Sequence, residues 1–421
     1  MNDDPMKRRR SIAAVTAALL AAVIPAARAQ DIPSLFRSDE VGKSALAFDE
    51  ETLLNILSFE QPIETLQSFS AADSGYRAAL GSLTADTLWL EQDLKLRAVV
   101  NDDFAVRGYV RQAIDYDTAY TQLTGMPELR LGDKWSVGVP VNLAYDKGNI
   151  DGGLAFTLRD PANHVDYVQL SAVRSDLVFD HKSDKYPASK VDKQADNLEL
   201  QLQADLFHCG KTTLVVTDQT PSKIQRVELG HTDEFARWRA DLLQKIELAP
   251  AQALYLRLGA EAAREQATTT SAAGAADAFS GDRDLYDARA EYQRELEGGV
   301  RRWKVGLDYL WFREDVPSAA DLSDIHTELR REGVVYAGYR APFMDSTKVD
   351  LETVVYLDRL WNSRRYPYSP GDDGDDPNFQ GKVSFYFRWH ATQRADFIFS
   401  PSFELDTIGW GGGAFMLRCQ L

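Results

Sequence analysis

The sequence predicts an all-β chain closed into a transmembrane antiparallel barrel of about 18 strands. Three observations carry this expectation. The N-terminus has the layout of an export signal, apolar and polar residues alternate in long runs from Asp86 to the C-terminus, and short turns take turns with long polar loops between those runs.

The export segment comes first. Lys7, Arg8, Arg9 and Arg10 form a basic start, Ile12 to Ile24 is an apolar run, and Ala27-Arg28-Ala29 gives a small-x-small cleavage pattern before Gln30. The run is shorter than the roughly 20 residues that cross a bilayer as a helix. Residues 1–29 are therefore read as a signal peptide. Its removal takes away five basic and two acidic residues and moves the formal charge from −17 to −20. So acidic a chain is a poor partner for nucleic acid. After residue 29 no stretch has the length and apolarity of a membrane helix, so an exported chain is expected to be soluble in the periplasm, secreted, or a barrel. Cys209 and Cys419 are too few for a disulfide scaffold, and their pairing is left open.

Residues 30–63 do not alternate. Asp49-Glu50-Glu51 followed by Leu53, Leu54, Ile56 and Leu57 reads as a capped short helix in a periplasmic or plug segment, with a plain lead-in as the alternative. Residues 64–421 are assigned to the barrel.

Within the barrel the period is 2, as for a strand whose faces meet different surroundings. In Leu88 to Ala98, the residues Leu88, Leu90, Leu94, Leu96 and Ala98 share one face, and Trp89, Glu91, Asp93, Lys95 and Arg97 the other. Asn197 to Phe207, Lys348 to Asp358 and Lys382 to His390 repeat the split. Such runs are read near 86–99, 103–116, 120–131, 134–146, 151–160, 164–180, 195–208, 211–219, 234–249, 251–265, 283–297, 300–314, 326–341, 346–360, 379–392, 394–405 and 411–421. Bacterial single-chain barrels have even strand numbers, so one more upward strand is placed within 64–82, with 16 strands as the next choice. Short turns are read at Asn101-Asp102, Gly132-Asp133, Gly210, Ala249-Pro250, Gly298-Gly299 and Thr392-Gln393; long polar loops near 181–195, 264–284, 315–325 and 361–378. The 264–284 stretch, rich in Ala, Thr, Ser and Gly, is expected to be flexible. Trp135, Trp303, Trp311 and Trp389 fall where interfacial girdles stand in such barrels.

The chain ends with Phe415, Leu417, Cys419 and Leu421 on one face. This resembles the C-terminal targeting strand of bacterial outer-membrane proteins, with Leu421 where an aromatic residue is usual. From 86 to 421 the chain is similar to Gram-negative outer-membrane barrels of the diffusion-porin or polysaccharide-export type, in general features rather than a family motif. The resemblance implies the bacterial outer membrane as location. Its partners there would be membrane lipid, lipopolysaccharide, the barrel-assembly machinery, and a small polar solute or a polysaccharide.

Charge facing lipid costs several kcal/mol near the midplane, so the polar faces are assigned to the lumen. The lumen-lining candidates are Glu91, Asp93, Lys95, Arg97, Arg107, Arg111, Arg237, Arg239, Arg257, Arg289, Glu291, Arg302, Lys304, Asp308, Arg330, Arg340, Asp350, Glu352 and Arg388. The two signs nearly balance, which suits cross-strand ion pairs. Asp372, Asp373, Asp375 and Asp376 could hold Ca²⁺ or Mg²⁺ bridging to lipopolysaccharide, although a solvated acidic loop is the plainer reading. No other cofactor is indicated. Of the six histidines, Asp180-His181 and His390 are the ones worth following as barrel-rim catalysts. No Gly-x-Ser-x-Gly nucleophile accompanies them, and the chain is not read as an enzyme.

The expected function is an outer-membrane channel passing polar solutes, sugars or organic acids, through a charged hydrated lumen. The alternatives are the outer-membrane component of a polysaccharide export machine and a barrel-rim hydrolase.

Overall fold

In the computed structural model the described residues are 74–420, apart from 83–87, 115–118, 145–149, 179–188, 194–195, 207–209, 227–229, 271–275, 318–324, 363–377, 393 and 406–409. The expected signal peptide, the 30–63 segment, Asp180-His181, Cys209 and the acidic loop at 372–376 lie outside them.

Twenty strand segments form one antiparallel sheet. They are β1 (Gly75–Ser82), β2 (Leu88–Val99), β3 (Phe104–Ile114), β4 (Ala119–Leu131), β5 (Trp135–Gly138), β6 (Val141–Ala144), β7 (Ile150–Asp160), β8 (Val165–Val178), β9 (Ser189–Lys193) and β10 (Asp196–Ala204). There follow β11 (Thr212–Arg226), β12 (His231–Ala249), β13 (Gln252–Thr270), β14 (Ala276–Leu296), β15 (Arg301–Pro317), β16 (Ile325–Pro342), β17 (Val349–Asn362), β18 (Asn378–Thr392), β19 (Ala395–Glu404) and β20 (Trp410–Gln420).

Segments β5 and β6 both lie between β4 and β7 and make one barrel strand. It is interrupted at Val139-Pro140, because a proline has no N–H for the ladder. The Val139 N–H donates to the Pro127 carbonyl at 3.0 Å and the Gly153 N–H to the Pro140 carbonyl at 3.1 Å, so the wall stays sealed across the break. Segments β9 and β10 likewise share β11 as partner. The barrel thus has 18 strands, the number expected. It closes where β1 pairs with β20, from Gly75↔Gln420 to Ser82↔Gly413. The added first strand falls inside the 64–82 window.

Connections at one end are short, among them residues 100–103, 132–134, 161–164, 250–251 and 297–300. In outer-membrane barrels this is the periplasmic end. Gly298 (φ 69°) and Gly299 (φ 93°) make one such reversal, in a backbone region where a Cβ is costly.

The outer surface matches a bilayer. On β15 the outward positions read Arg301, Trp303, Val305, Leu307, Tyr309, Trp311, Arg313. The span from Trp303 to Trp311 covers about 26 Å along the strand and about 20 Å across the membrane at a tilt near 40°. Tyr292 meets Trp303 at 5.1 Å at one edge of this band, and Tyr286 meets Trp311 at 5.3 Å at the other. Phe387, Phe399 and Phe415 stack across β18–β20 with centroids 6.3 and 4.6 Å apart. Leu307, Val335 and Phe415 are 53%, 62% and 61% exposed. In water so continuous an apolar face would promote aggregation, whereas lipid matches it.

The 264–284 stretch differs from expectation. Most of it belongs to the β13–β14 hairpin, which runs to Thr270 and resumes at Ala276. Above the lipid band the outward face no longer needs apolar residues, so Arg264 pairs there with Asp282 at 2.9 Å and the apolar–polar contrast disappears while the strand continues. Similarly, residues 189–193 of the expected 181–195 loop are strand.

Candidate functional site

Period-2 register brings the polar faces to the inside of the barrel, where side chains of neighbouring strands meet. On β12 and β13, Arg239 Nε pairs with Asp241 Oδ2 at 2.7 Å, and Arg239 Nη1 with Glu261 Oε2 at 3.3 Å. Arg237 Nη2 reaches the same Glu261 oxygen at 2.8 Å, and Arg283 of β14 approaches Oε1 at 3.9 Å. One carboxylate is therefore ringed by three guanidinium groups. Further along, Arg257 pairs with Asp287 at 3.1 Å and Arg289 with Glu291 at 3.2 Å. Arg289 Nε donates to the Tyr336 hydroxyl at 3.0 Å, which donates to Glu291 Oε2 at 2.7 Å. Glu352 receives Arg302 at 3.3 Å and Lys304 at 3.1 Å.

These charges are buried rather than bathed. Arg239, Arg257 and Glu261 are 1–2% exposed, and Asp308 and Arg388 are buried as well. Beside them sits an inward cluster of Val334, Tyr336, Val354, Tyr356, Tyr386 and Ile398, which polar-face reasoning did not anticipate. The Tyr356 and Tyr386 hydroxyls share a hydrogen bond of 2.7 Å, as do those of Ser384 and Ser402. At this belt the inner side chains are as closed to solvent as those of a protein core.

The other candidates fall as follows. Arg107 Nε pairs with Glu128 at 2.9 Å, while its Nη1 donates to Gln169 at 2.8 Å. Lys95 and Arg97 are half-buried near the short-turn end of β2. Arg340 stands 4.0 Å from Asp350. In the ladders, Glu91, Asp93, Arg111 and Arg330 stand opposite Ala79, Arg77, Gln122 and Phe312.

His390 is positioned by carboxylates on both sides. Nδ1 lies 2.8 Å from Asp396 and Nε2 3.1 Å from Asp350, and Asp396 also receives Arg418. The ring thus ties β17, β18 and β19 together. Cys419 lies on the outward face and is a free thiol among the described residues.

A cavity of about 470 Å³ opens at the short-turn end. Arg97, Glu128, Arg130, Arg159, Tyr167 and Lys211 are in its wall, and most of these escaped the sequence reading. They come from four strands, β2, β4, β7 and β8, and from the connection before β11. Their shared signal is position, since Arg97, Arg130, Arg159 and Lys211 all stand within a few residues of a short turn.

No protein-family model matches the chain, and no curated protein matches it. Solved structures with a similar course of chain include OpdL of Pseudomonas aeruginosa, with 11% identity, a TM-score of 0.38, and coverage of 83% of this chain and 96% of that one. CdiB of Acinetobacter baumannii shows 10% identity and a TM-score of 0.39 over 82% of this chain, which spans 59% of CdiB. OccK2 (OpdF) of Pseudomonas aeruginosa, solved in complex with glucuronate, shows 10% identity and a TM-score of 0.38, covering 83% of this chain and 97% of that one.

Proposed function

We propose that the protein is a channel of the bacterial outer membrane that passes polar solutes, sugars or organic acids, along its charged inner face. One observation carries this reading. Directly behind the lipid-facing band from Trp303 to Trp311, the inner positions of the same strand are Arg302, Lys304, Gly306, Asp308 and Leu310, so ionisable groups stand within the membrane's depth. A barrel that served only as a wall or an anchor would need no ionised groups there, because burying charge costs several kcal/mol that apolar packing avoids. The residues Arg237, Arg239, Arg257, Arg289, Glu291, Arg302, Lys304 and Glu352 are proposed to set the charge of that path from within its wall. Their dense pairing fits a narrow, selective route better than a wide water pore.

The test is conductance of the purified barrel in planar lipid bilayers. Its fold is first verified by heat-modifiable gel migration. Discrete conductance steps that respond to the charge of the permeating ion are expected. A correctly folded barrel with no conductance above the bare bilayer would refute the proposal.

A further inference from the structure

The cavity at the short-turn mouth has a charge unlike that of the whole chain. Five basic side chains border it, Arg97, Arg130, Lys134, Arg159 and Lys211, against three acids, Glu128, Asp133 and Asp166, in a protein of formal charge −17. Two of the acids are already engaged. Glu128 accepts from Ser136 and pairs with Arg107 at 2.9 Å, a cation that stands outside the cavity wall, and Asp166 pairs with Lys211. Lys134 is in turn taken up by Asp160 at 2.6 Å, outside the wall; with these pairs counted, basic side chains still outnumber the carboxylates around the cavity.

The floor is also built rather than fluid. Tyr167 is buried, with the Arg159 guanidinium 5.5 Å and the Arg107 guanidinium 5.8 Å from its ring centroid. Cation–π contact holds such planes in place. Ser136 and Gln203, both buried, add neutral groups that can exchange hydrogen bonds with hydroxyls. A fixed guanidinium recognises a carboxylate by charge-assisted and often bidentate hydrogen bonds, which a neutral polyol cannot match.

We infer that this cavity is a binding site for a small hydroxylated carboxylate at the periplasmic mouth. As a station on a transport path it rests on the channel reading, but binding itself does not require conductance. The site would hold the anion where it leaves or enters the lumen, and the surplus of positive charge would turn away cations of the same size.

The experiment is calorimetric titration of the full-length folded barrel in detergent with gluconate, and separately with glucose, a neutral molecule of similar size and hydroxyl content. Gluconate is expected to bind at least about tenfold more tightly than glucose, and more weakly as ionic strength rises. Arg159→Gln and Arg130→Gln should each weaken gluconate binding about tenfold. Arg264→Gln, on the outward face near the opposite end, should leave it unchanged. Gel migration verifies folding of each variant. Arg130 is exposed at the rim, so R130Q carries the test if R159Q does not fold. Equal affinity for gluconate and glucose, no binding of gluconate, or full affinity in R130Q would overturn the site. Binding without conductance would overturn the channel and keep the site; conductance without binding would do the reverse.

Discussion

Glu261 offers the sharpest test of whether the inner wall is a packed ion network or a water-screened one. Its side chain is fully buried and faces Arg237 at 2.8 Å, Arg239 at 3.3 Å and Arg283 at 3.9 Å. Glu261→Gln keeps the shape and removes the charge, leaving three guanidinium groups around a neutral amide. At an effective dielectric near 20, one pair about 4 Å apart contributes about 4 kcal/mol. The three attractions do not add, because the arginines repel one another and Arg239 keeps Asp241 at 2.7 Å. Removing one member of a buried ion cluster typically costs about 3–5 kcal/mol, and that is the expected loss. Arg264→Gln, which breaks the exposed Arg264–Asp282 pair, should cost no more than about 1 kcal/mol. The assay is guanidinium-chloride unfolding in lipid vesicles, followed by tryptophan fluorescence. The double variant Glu261→Gln, Arg283→Gln should lose less than the two single losses combined, because it relieves the uncompensated charge. If Glu261→Gln costs no more than Arg264→Gln, solvent reaches the pairs and the packed-wall argument fails.

Other perturbations follow from the same geometry. Leu307→Arg places a charge midway between Trp303 and Trp311 on the lipid face and should cost about 2–4 kcal/mol, read as reduced insertion and an earlier unfolding midpoint in vesicles. Gly306 lies directly against the Tyr336 ring, so Gly306→Ala would collide with it. The displaced ring should destabilise the barrel by about 1–3 kcal/mol, visible in the same unfolding curve. Tyr336→Phe removes the hydroxyl between Arg289 and Glu291 without changing the packing, and the expected loss is about 1–3 kcal/mol because both charged groups lose a buried partner. A Tyr336→Phe variant with unchanged stability would show that the hydroxyl link is dispensable.

The architecture was readable because lipid imposes a simple rule on a strand. Every second residue tends to be apolar wherever the wall meets hydrocarbon, and β10, β17 and β18 follow this visibly, as does β2 apart from Gln92. The rule lapses where lipid ends, which is why the upper part of the β13–β14 hairpin, with Arg264 and Asp282 facing outward, looked like a loop. Inside the barrel the rule is looser still. The inner face of β17 reads Asp350, Glu352, Val354, Tyr356, so the tyrosine and valine cluster shares its periodicity with the charges and cannot be separated from them by pattern. The individual ion pairs depend on register, and Arg239 meets Glu261 only because those positions stand opposite each other across β12 and β13. The mouth cavity draws its wall from six separate stretches of the chain, and no local motif announces it. What sequence did hold was a concentration of Arg and Lys beside the short turns, a signal about one end of the molecule rather than about any one strand.

The pairing of Gly75 with Gln420 has a consequence for assembly. Among the described barrel strands every other ladder joins strands that follow one another along the chain, and this one joins the first to the last. The ring of hairpins is therefore topologically indifferent to where it is cut. A version with its old ends spliced together and new ends opened in an outer connection would trace the same cylinder. In the natural order, though, no intermediate can become a sealed tube until the final strand has been delivered. The strand Trp410–Gln420 thus acts as the lock on a ring whose members have already met in sequence.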